Sequence, residues 1–406
     1  MLNKKIARAI ASCIVILLLL INLSSCLPFE LDGIAEITAP QSDFGCYIDG
    51  KKTELLEPEI NSYLFGKMNE AQRTVYAAAY TALLNGQNEF VLKNVDYQAI
   101  LDVYGDAVKA FLYDYPEYFW LKGYVKANAS HPTGSDIGDV TINLGLYEYW
   151  SEADLDSARQ AFNAALDAFV SEAKSISDDY SRVKFVHDRM IDIIEYDYES
   201  YESKTELDAQ TAAFTNSVYG ALVEGKALCG GYAKLFSLIM HRLGYECEYI
   251  TGIADGGSHA WNFIRLDGEG YFVDVTWDDS DSDDGLILYN YFCVNDEMIG
   301  VTHIADERYS GITSASTKYN YHVYESLYFE SYDPAAIENA FSAHISENVI
   351  SIRFSNEQAY TDAFHDLVEE YTIFDIIKDT ENDQYSYMLN DDIYVLTFIF
   401  YSQTTW

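Results

Sequence analysis

Apolar residues recur at intervals of three and four over 61–84 and again over 97–113, which predicts two amphipathic helices, the second stopping near Pro116. Val140-Thr141-Ile142-Asn143-Leu144-Gly145-Leu146 alternates instead and reads as a strand. Two more helices are predicted over 152–175 and 181–196, and in the second Val183, Val186, Met190, Ile193 and Ile194 share a face that should pack on a core. His187 lies beside that stripe and reads as a core or boundary histidine. From Tyr232 the positions Leu235, Phe236, Ile239, Met240 and Leu243 keep helical spacing until Gly244, a helix with a glycine stop. Residues 259–266 and 271–277 alternate about Asp267-Gly268, the signature of a hairpin with a two-residue turn. Further on, helices over 335–344 and 356–371 and strands over 349–354, 385–389 and 393–401 predict a small α/β module with no candidate site.

The amino terminus follows another pattern. Residues 1–26 have a basic start (Lys4, Lys5, Arg8), an apolar run from Ala9 to Ile21 and then Leu23-Ser24-Ser25-Cys26, the pattern of an export signal. The last four residues resemble a bacterial lipobox, which makes Cys26 the expected lipidated first residue of a protein held outside the cytoplasm at the cell membrane. Residues 27–60, with Pro28, Pro40 and Pro58, read as a tether. The expected organisation is signal 1–26, tether 27–60, a mainly helical region 61–178, a core 179–310 and the α/β module 311–406, an α+β protein throughout.

Composition narrows the partners. With 65 acids against 25 bases and a net charge of −40, the chain should repel nucleic acid and anionic lipid. Four cysteines remain once Cys13 and Cys26 are set aside, too few for a disulfide framework, and no C-x-x-C or His-x-x-x-His pair supports a zinc site. No cofactor is implied. Asp278 to Gly285 is acid-rich, but counted from Asp279 the sixth and twelfth places hold Asp284 and Asn290, where a calcium loop wants glycine and glutamate; it reads as a solvated loop.

The chemistry concentrates in Ala227-Leu228-Cys229-Gly230-Gly231-Tyr232-Ala233, Ser258-His259-Ala260-Trp261-Asn262 and Val273-Asp274-Val275-Thr276-Trp277. Cys229 opens the helix, where unpaired N–H groups and the helix dipole favour a thiolate and can stabilise an oxyanion. If Asp267-Gly268 is the turn, paired positions sum to 535: Asp274 faces Trp261, and His259 and Asp274 are diagonal neighbours on one face, about 7–8 Å apart at Cα. That face is the polar and aromatic one and should meet the helix, with Ala260, Ile264, Leu266, Val273 and Val275 as core behind it. The expectation is a triad in which Cys229 is the nucleophile, His259 its base and Asp274 the group that orients the imidazole. Cys247 and Cys293 read as small buried hydrophobes.

These segments, with Tyr219-Gly220-Ala221-Leu222 and Gly244-Tyr245, resemble the bacterial transglutaminase-like family, a branch of the papain-like cysteine proteinase fold. The resemblance runs over about 180–295 and carries the three catalytic positions onto Cys229, His259 and Asp274. It implies a nucleophile helix packed on an antiparallel sheet and an acyl-thioenzyme that passes its acyl group to water or to an amine. Family members commonly have glutamine after the cysteine, where this chain has Gly230. Tyr219 is a candidate for the oxyanion pocket or the cleft, with a core aromatic as the simpler reading. The expected activity is a membrane-anchored thiol enzyme acting on amide bonds of proteins or peptides, with hydrolysis favoured over crosslinking. Its alternative is a cell-envelope binding or assembly protein that keeps the fold without turnover. Acyl transfer from a thioester such as coenzyme A fits the residues but not the location.

Overall fold

The stripe predicted over 61–84 forms two helices, Tyr63–Lys67 (α1) and Glu70–Leu84 (α2), in a computed structural model that describes residues 44–401 other than 61, 149, 203–210, 212–213, 281–285 and 379–382. Asn69 makes the division: its side chain accepts from Gln72 N at 2.9 Å while the Gln72 side chain accepts from Asn69 N at 3.0 Å, a reciprocal cap. The second predicted helix divides likewise into Tyr97–Leu101 (α3) and Tyr104–Asp114 (α4), and ends at Tyr115 because the residue before a proline disfavours helical backbone.

Helices predominate in this region, but it also holds a sheet. Gly45–Ile48 (β1), Lys51–Thr53 (β2), Glu89–Asp96 (β3), Leu121–Ser130 (β4) and Ile137–Leu146 (β5) form an antiparallel sheet in the order β2-β1-β3-β5-β4. Residues 45–53, read as tether, are its β1–β2 hairpin, with Cys46 and Ile48 buried. β5 is the strand predicted over 140–146; the other four escape a periodicity reading for local reasons. β1 and β2 are short, β3 has a register shift with Asn94 at φ 54°, and β4 carries few large apolar residues and shifts register against β5. Phe90, Leu92, Val140 and Ile142 of the sheet pack with Val75, Tyr76 and Phe111 of α2 and α4, each large side chain contributing roughly 2 kcal/mol by burial.

Glu152–Lys174 (α5) and Asp179–Ile193 (α6) follow, then Cys229–Leu243 (α7), which ends at Gly244 with φ 91° as the glycine stop requires. Beside α7 stand Cys247–Ala254 (β6), Gly257–Leu266 (β7), Glu269–Val273 (β8) and His303–Ala305 (β9), in the order β8-β7-β6-β9, all antiparallel. Leu266 pairs with Glu269 and Asn262 with Val273, so Asp267-Gly268 is the turn and the register is the predicted one. Both turn residues have positive φ, 52° and 80°, which glycine adopts freely.

Two features differ from expectation. β8 ends at Val273 instead of running to 277, because Asp274 caps a short helix, Val275–Asp278 (α8). α7 packs on the opposite face of β7, where Asn262 Nδ2 donates to Ala233 O at 2.8 Å and Ile264 and Leu266 join the core of Tyr232, Leu235 and Phe236. The face of Trp261 and Phe263 is buried as well, against Phe272, Tyr291 and Tyr309.

The carboxy-terminal elements lie where the pattern put them. Tyr328–Phe329 (β10), Val349–Phe354 (β11), Gln384–Asn390 (β12) and Val395–Tyr401 (β13) form a sheet in the order β10-β11-β13-β12, with helices Pro334–His344 and Glu357–Phe364. Ile350, Ile352 and Phe398 belong to the same hydrophobic cluster as Phe236 and Phe292, so the core runs on unbroken from α7 to these strands.

Candidate active site

Cys229 owes its place to three local constraints. Gly225, at φ 68°, closes the turn Gly220–Glu224; Lys226 and Ala227 pair with Glu195 and Tyr196; and Leu228 N donates to Thr215 O at 2.6 Å. The helix then begins at the cysteine, and Leu228 at its cap offers no side-chain acceptor. The first N–H groups of a helix have no partner inside it, so they remain available to an anion here. Chain packing explains the two glycines that follow. A Cβ on Gly231 would lie 2.7 Å from Ala227 Cβ, and one on Gly230 would lie 2.6 Å from Asn216 Oδ1. The amide of Asn216 thus occupies the space into which a glutamine after the cysteine would begin to grow.

His259 stands near the start of β7, opposite Gly252, with its ring between those of Trp261 and Trp277 at centroid distances of 6.0 and 5.5 Å. Its Nε2 donates to Asp274 Oδ2 at 2.6 Å, and it is in hydrogen-bonding contact with Cys229. Asp274 is buried, and its Oδ1 accepts from Thr276 N at 3.0 Å and Trp277 N at 3.3 Å, so the cap of α8 fixes the carboxylate. Thiol, imidazole and carboxylate are therefore brought together, although the helix meets the other face of the sheet. Cys229 reaches His259 past the strand because it sits at the helix end.

Burial alone would raise the Asp274 carboxyl, but the charge and hydrogen bond of His259, with those of His303, hold it well below the usual carboxylate range. Burial likewise opposes protonation of His259, and is outweighed by Asp274 and Cys229, which push its pKa up to about 10. The imidazolium is thus favoured, and it is the partner a thiolate needs. By contrast Cys247 and Cys293 are wholly enclosed and burial pushes their thiols far up, which keeps them inert.

His303, on β9, is a member that sequence reasoning missed. Its Nε2 donates to the same Asp274 Oδ2 at 3.0 Å, while its Nδ1 lies 2.8 Å from Thr302 Oγ1. A three-residue strand 29 residues beyond Asp274 offers no periodicity to betray it. His259, Asp274 and His303 also present ligand atoms within 4.8 Å of one another. A contact of 2.6 Å is a hydrogen bond, since zinc ligands at ~2.1 Å from a tetrahedral ion stand roughly 3.4 Å apart.

A second relay adjoins this one. His187 is wholly buried, with Nδ1 2.9 Å from Asp188 Oδ1 and Nε2 3.1 Å from Asp278 Oδ2. Burial disfavours its charge, yet the two carboxylates push its pKa up to about 9. Asp278 also accepts from Tyr291 N at 2.9 Å, and Asp279 from Tyr232 OH at 2.7 Å. The first two acids of the segment read as a solvated loop are therefore structural, and 281–285 lie outside the described residues. Tyr219 is a core aromatic, packed between Phe119, Trp150 and Phe214 and away from the thiol. Cys26 falls outside the described residues.

A cleft of about 540 Å³ opens over Cys229 and His259, walled by Trp277, Tyr249 and Asn216 and, from α4, by Lys109. The amino-terminal region therefore supplies part of the site. Residues 167–275 match the family described as the transglutaminase-like superfamily, a span that holds Cys229, His259 and Asp274. This part of the chain is a transglutaminase-like domain. The chain is 26% identical over 193 residues to kyphoscoliosis peptidase of Mus musculus, a match that takes in 43% of this chain but only 28% of that protein's length. Among solved structures it is similar to a TGase at 14% identity and a TM-score of 0.27, over 37% of this chain and 44% of that one. It is also similar to the periplasmic domain of TgpA from Pseudomonas aeruginosa at 10% identity and a TM-score of 0.23, over 47% of this chain and 71% of that one. Outside the matched residues, β9 adds His303 behind Asp274 and α4 adds Lys109 to the cleft.

Proposed function

We propose that the protein is a thiol enzyme that cleaves amide bonds of peptides or proteins through Cys229, His259 and Asp274. One observation carries the reading: a helix-start cysteine in hydrogen-bonding contact with a histidine whose other nitrogen is locked to a buried carboxylate at 2.6 Å. The thiolate of Cys229 attacks the carbonyl carbon, and the oxyanion meets the free N–H groups of the α7 N-terminus. As the C–N bond breaks, His259 gives its proton to the departing amine, which leaves an acyl-thioenzyme and a neutral imidazole. His259 then takes a proton from water as the oxygen attacks the thioester, and the acid leaves as the thiolate is restored. Asp274 keeps the tautomer and compensates the imidazolium; it exchanges no proton.

An amine in place of water would give a crosslink by the same steps. Hydrolysis is favoured because a protein exported by the signal at 1–26 and lipidated at Cys26 meets peptides and proteins in water. The decisive test is mass spectrometry of the intact protein after mixing with peptide pools, with and without an amine donor. An acyl adduct on Cys229 that decays to free acid supports hydrolysis, whereas decay only with amine present supports crosslinking. Wild type and Cys229→Ala behaving alike, with no adduct, would leave a binding protein. Labelling with palmitate that is lost in Cys26→Ser checks the anchor.

A further inference from the structure

The wall beside Cys229 departs from the charge of the rest of the chain. Against 65 acids the protein has 25 bases, yet two of these face each other here: Lys109 on α4 and Lys234 on α7. Between them Tyr113 and Tyr249 pack with ring centroids 4.6 Å apart. Lys109 Nζ lies 5.8 Å from the Tyr113 ring and Lys234 Nζ 5.7 Å from the Tyr249 ring. Lys234 Nζ also donates to Asn216 O at 2.9 Å, which holds the ammonium in place. Among the described residues neither lysine forms an ion pair, although 18 His, Lys or Arg contacts to carboxylates do occur elsewhere in so acidic a chain.

Both lysines line a side recess of about 160 Å³, which shares Lys109, Tyr113 and Asn216 with the catalytic cleft. Burial, reinforced by Lys109 and opposed by Cys229, lowers the pKa of Lys234 to about 8. Two cations held together without a carboxylate partner are stabilised by an incoming anion, and charge-assisted bonds to a carboxylate are among the strongest a protein makes. The far wall of the cleft is of opposite sign, with Asp255 and Asp306.

We propose that Lys109 and Lys234 form a carboxylate subsite, so that the preferred substrate of Cys229 carries a free carboxylate close to the amide that is cleaved. This rests on the thiol-enzyme reading above. Two substrate types offer that chemistry: a peptide with an acidic side chain next to the cleaved bond, and a γ-glutamyl amide, whose free α-carboxylate flanks it.

The test uses two alkylating reagents of nearly equal size, iodoacetate and iodoacetamide, with the label on Cys229 followed by peptide mass spectrometry in the full chain. The iodoacetate to iodoacetamide rate ratio at Cys229 should exceed that of the urea-unfolded chain, and should fall by about tenfold in Lys109→Met/Lys234→Met, where His259 and the helix N-terminus remain. Lys109 is exposed, so Lys109→Met alone keeps the fold and should lose part of the preference. Rapid alkylation by iodoacetamide with equal ratios in wild type and both variants overturns the subsite and leaves the thiol enzyme standing. Slow alkylation by both reagents, unchanged in His259→Ala, removes the activated thiol and the subsite with it. Paired peptides then name the source, glutamate against glutamine beside the bond and a γ-glutamyl amide with free against amidated α-carboxyl. The free acid should be cleaved about tenfold faster in one pair; no preference in either pair overturns the proposal.

Discussion

Two histidines of this protein are held between acceptors at the two ends of one short helix. His259 binds Asp274, the residue that caps α8, and His187 binds Asp278, the last residue of α8. Both carboxylates are buried, and both imidazoles are held protonated by them against the cost of burial. What separates them is access. His259 lines an open cleft and touches a thiol; His187 is sealed, stacked near Tyr289 and Phe292, with its two nitrogens taken by Asp188 and Asp278. A histidine between carboxylates is thus a structural clamp by default. It becomes chemistry only where one nitrogen is spared for a nucleophile.

The comparison breaks first at the thiol. Cys229→Ala should lower turnover on any cleaved peptide by about 10³-fold or more while leaving thermal unfolding nearly unchanged, because the half-exposed thiol bears little of the core. If its main effect is on stability, the two clusters do not differ in kind. At the sealed cluster the reverse is expected. His187→Ala takes from the buried Asp278 its charged partner and should cost about 3–5 kcal/mol in chemical denaturation, with kcat per folded molecule kept within a few-fold.

A pH series sharpens the same contrast. The folded pKa of His187 is raised to about 9 from an ordinary 6.5, so its stabilisation is complete below pH 6.5 and is lost as pH rises through about 9. His259, raised to about 10, adds a loss of the same sign. Unfolding free energy should therefore fall between pH 6.5 and 10, on the order of 3 kcal/mol of it through His187, and His187→Gln should flatten that part of the curve. The smallest expected effect lies at His303. His303→Gln keeps a donor to Asp274 and should lower kcat by about tenfold at unchanged KM, with the alkaline limb of the pH–rate profile shifted up, because His259 no longer shares the Asp274 oxygen with a second imidazole.

Much of this was legible in the chain. The register of the β7–β8 hairpin followed from Asp267-Gly268 alone, because a two-residue turn with two positive φ values fixes which residues pair. The helix start at Cys229 followed from the stripe beginning at Tyr232 and from the glycines, which α7 packs against Ala227 and Asn216. Of the amino-terminal sheet only β5 was legible, from the alternation over 140–146, since the other strands are short, bulged or poor in large apolar residues and so carry a weak alternation. The face on which α7 packs was also misjudged. Polar and aromatic character on the His259 side described a second buried interface, with Tyr291 and Tyr309, that the pattern could not tell from a cleft.

Local spacing by itself determined the helix start at Cys229 and the hairpin pairing that aligns His259 with Asp274, because turns and helix ends are set by neighbours in the chain. Only the tertiary structure decided that His303 would reach the Asp274 carboxylate from β9, that His187 would be clamped rather than reactive, and that α4 would bring Lys109 to the thiol. Those contacts join residues tens to more than a hundred positions apart. They are fixed by how buried faces fit together, which no periodicity records.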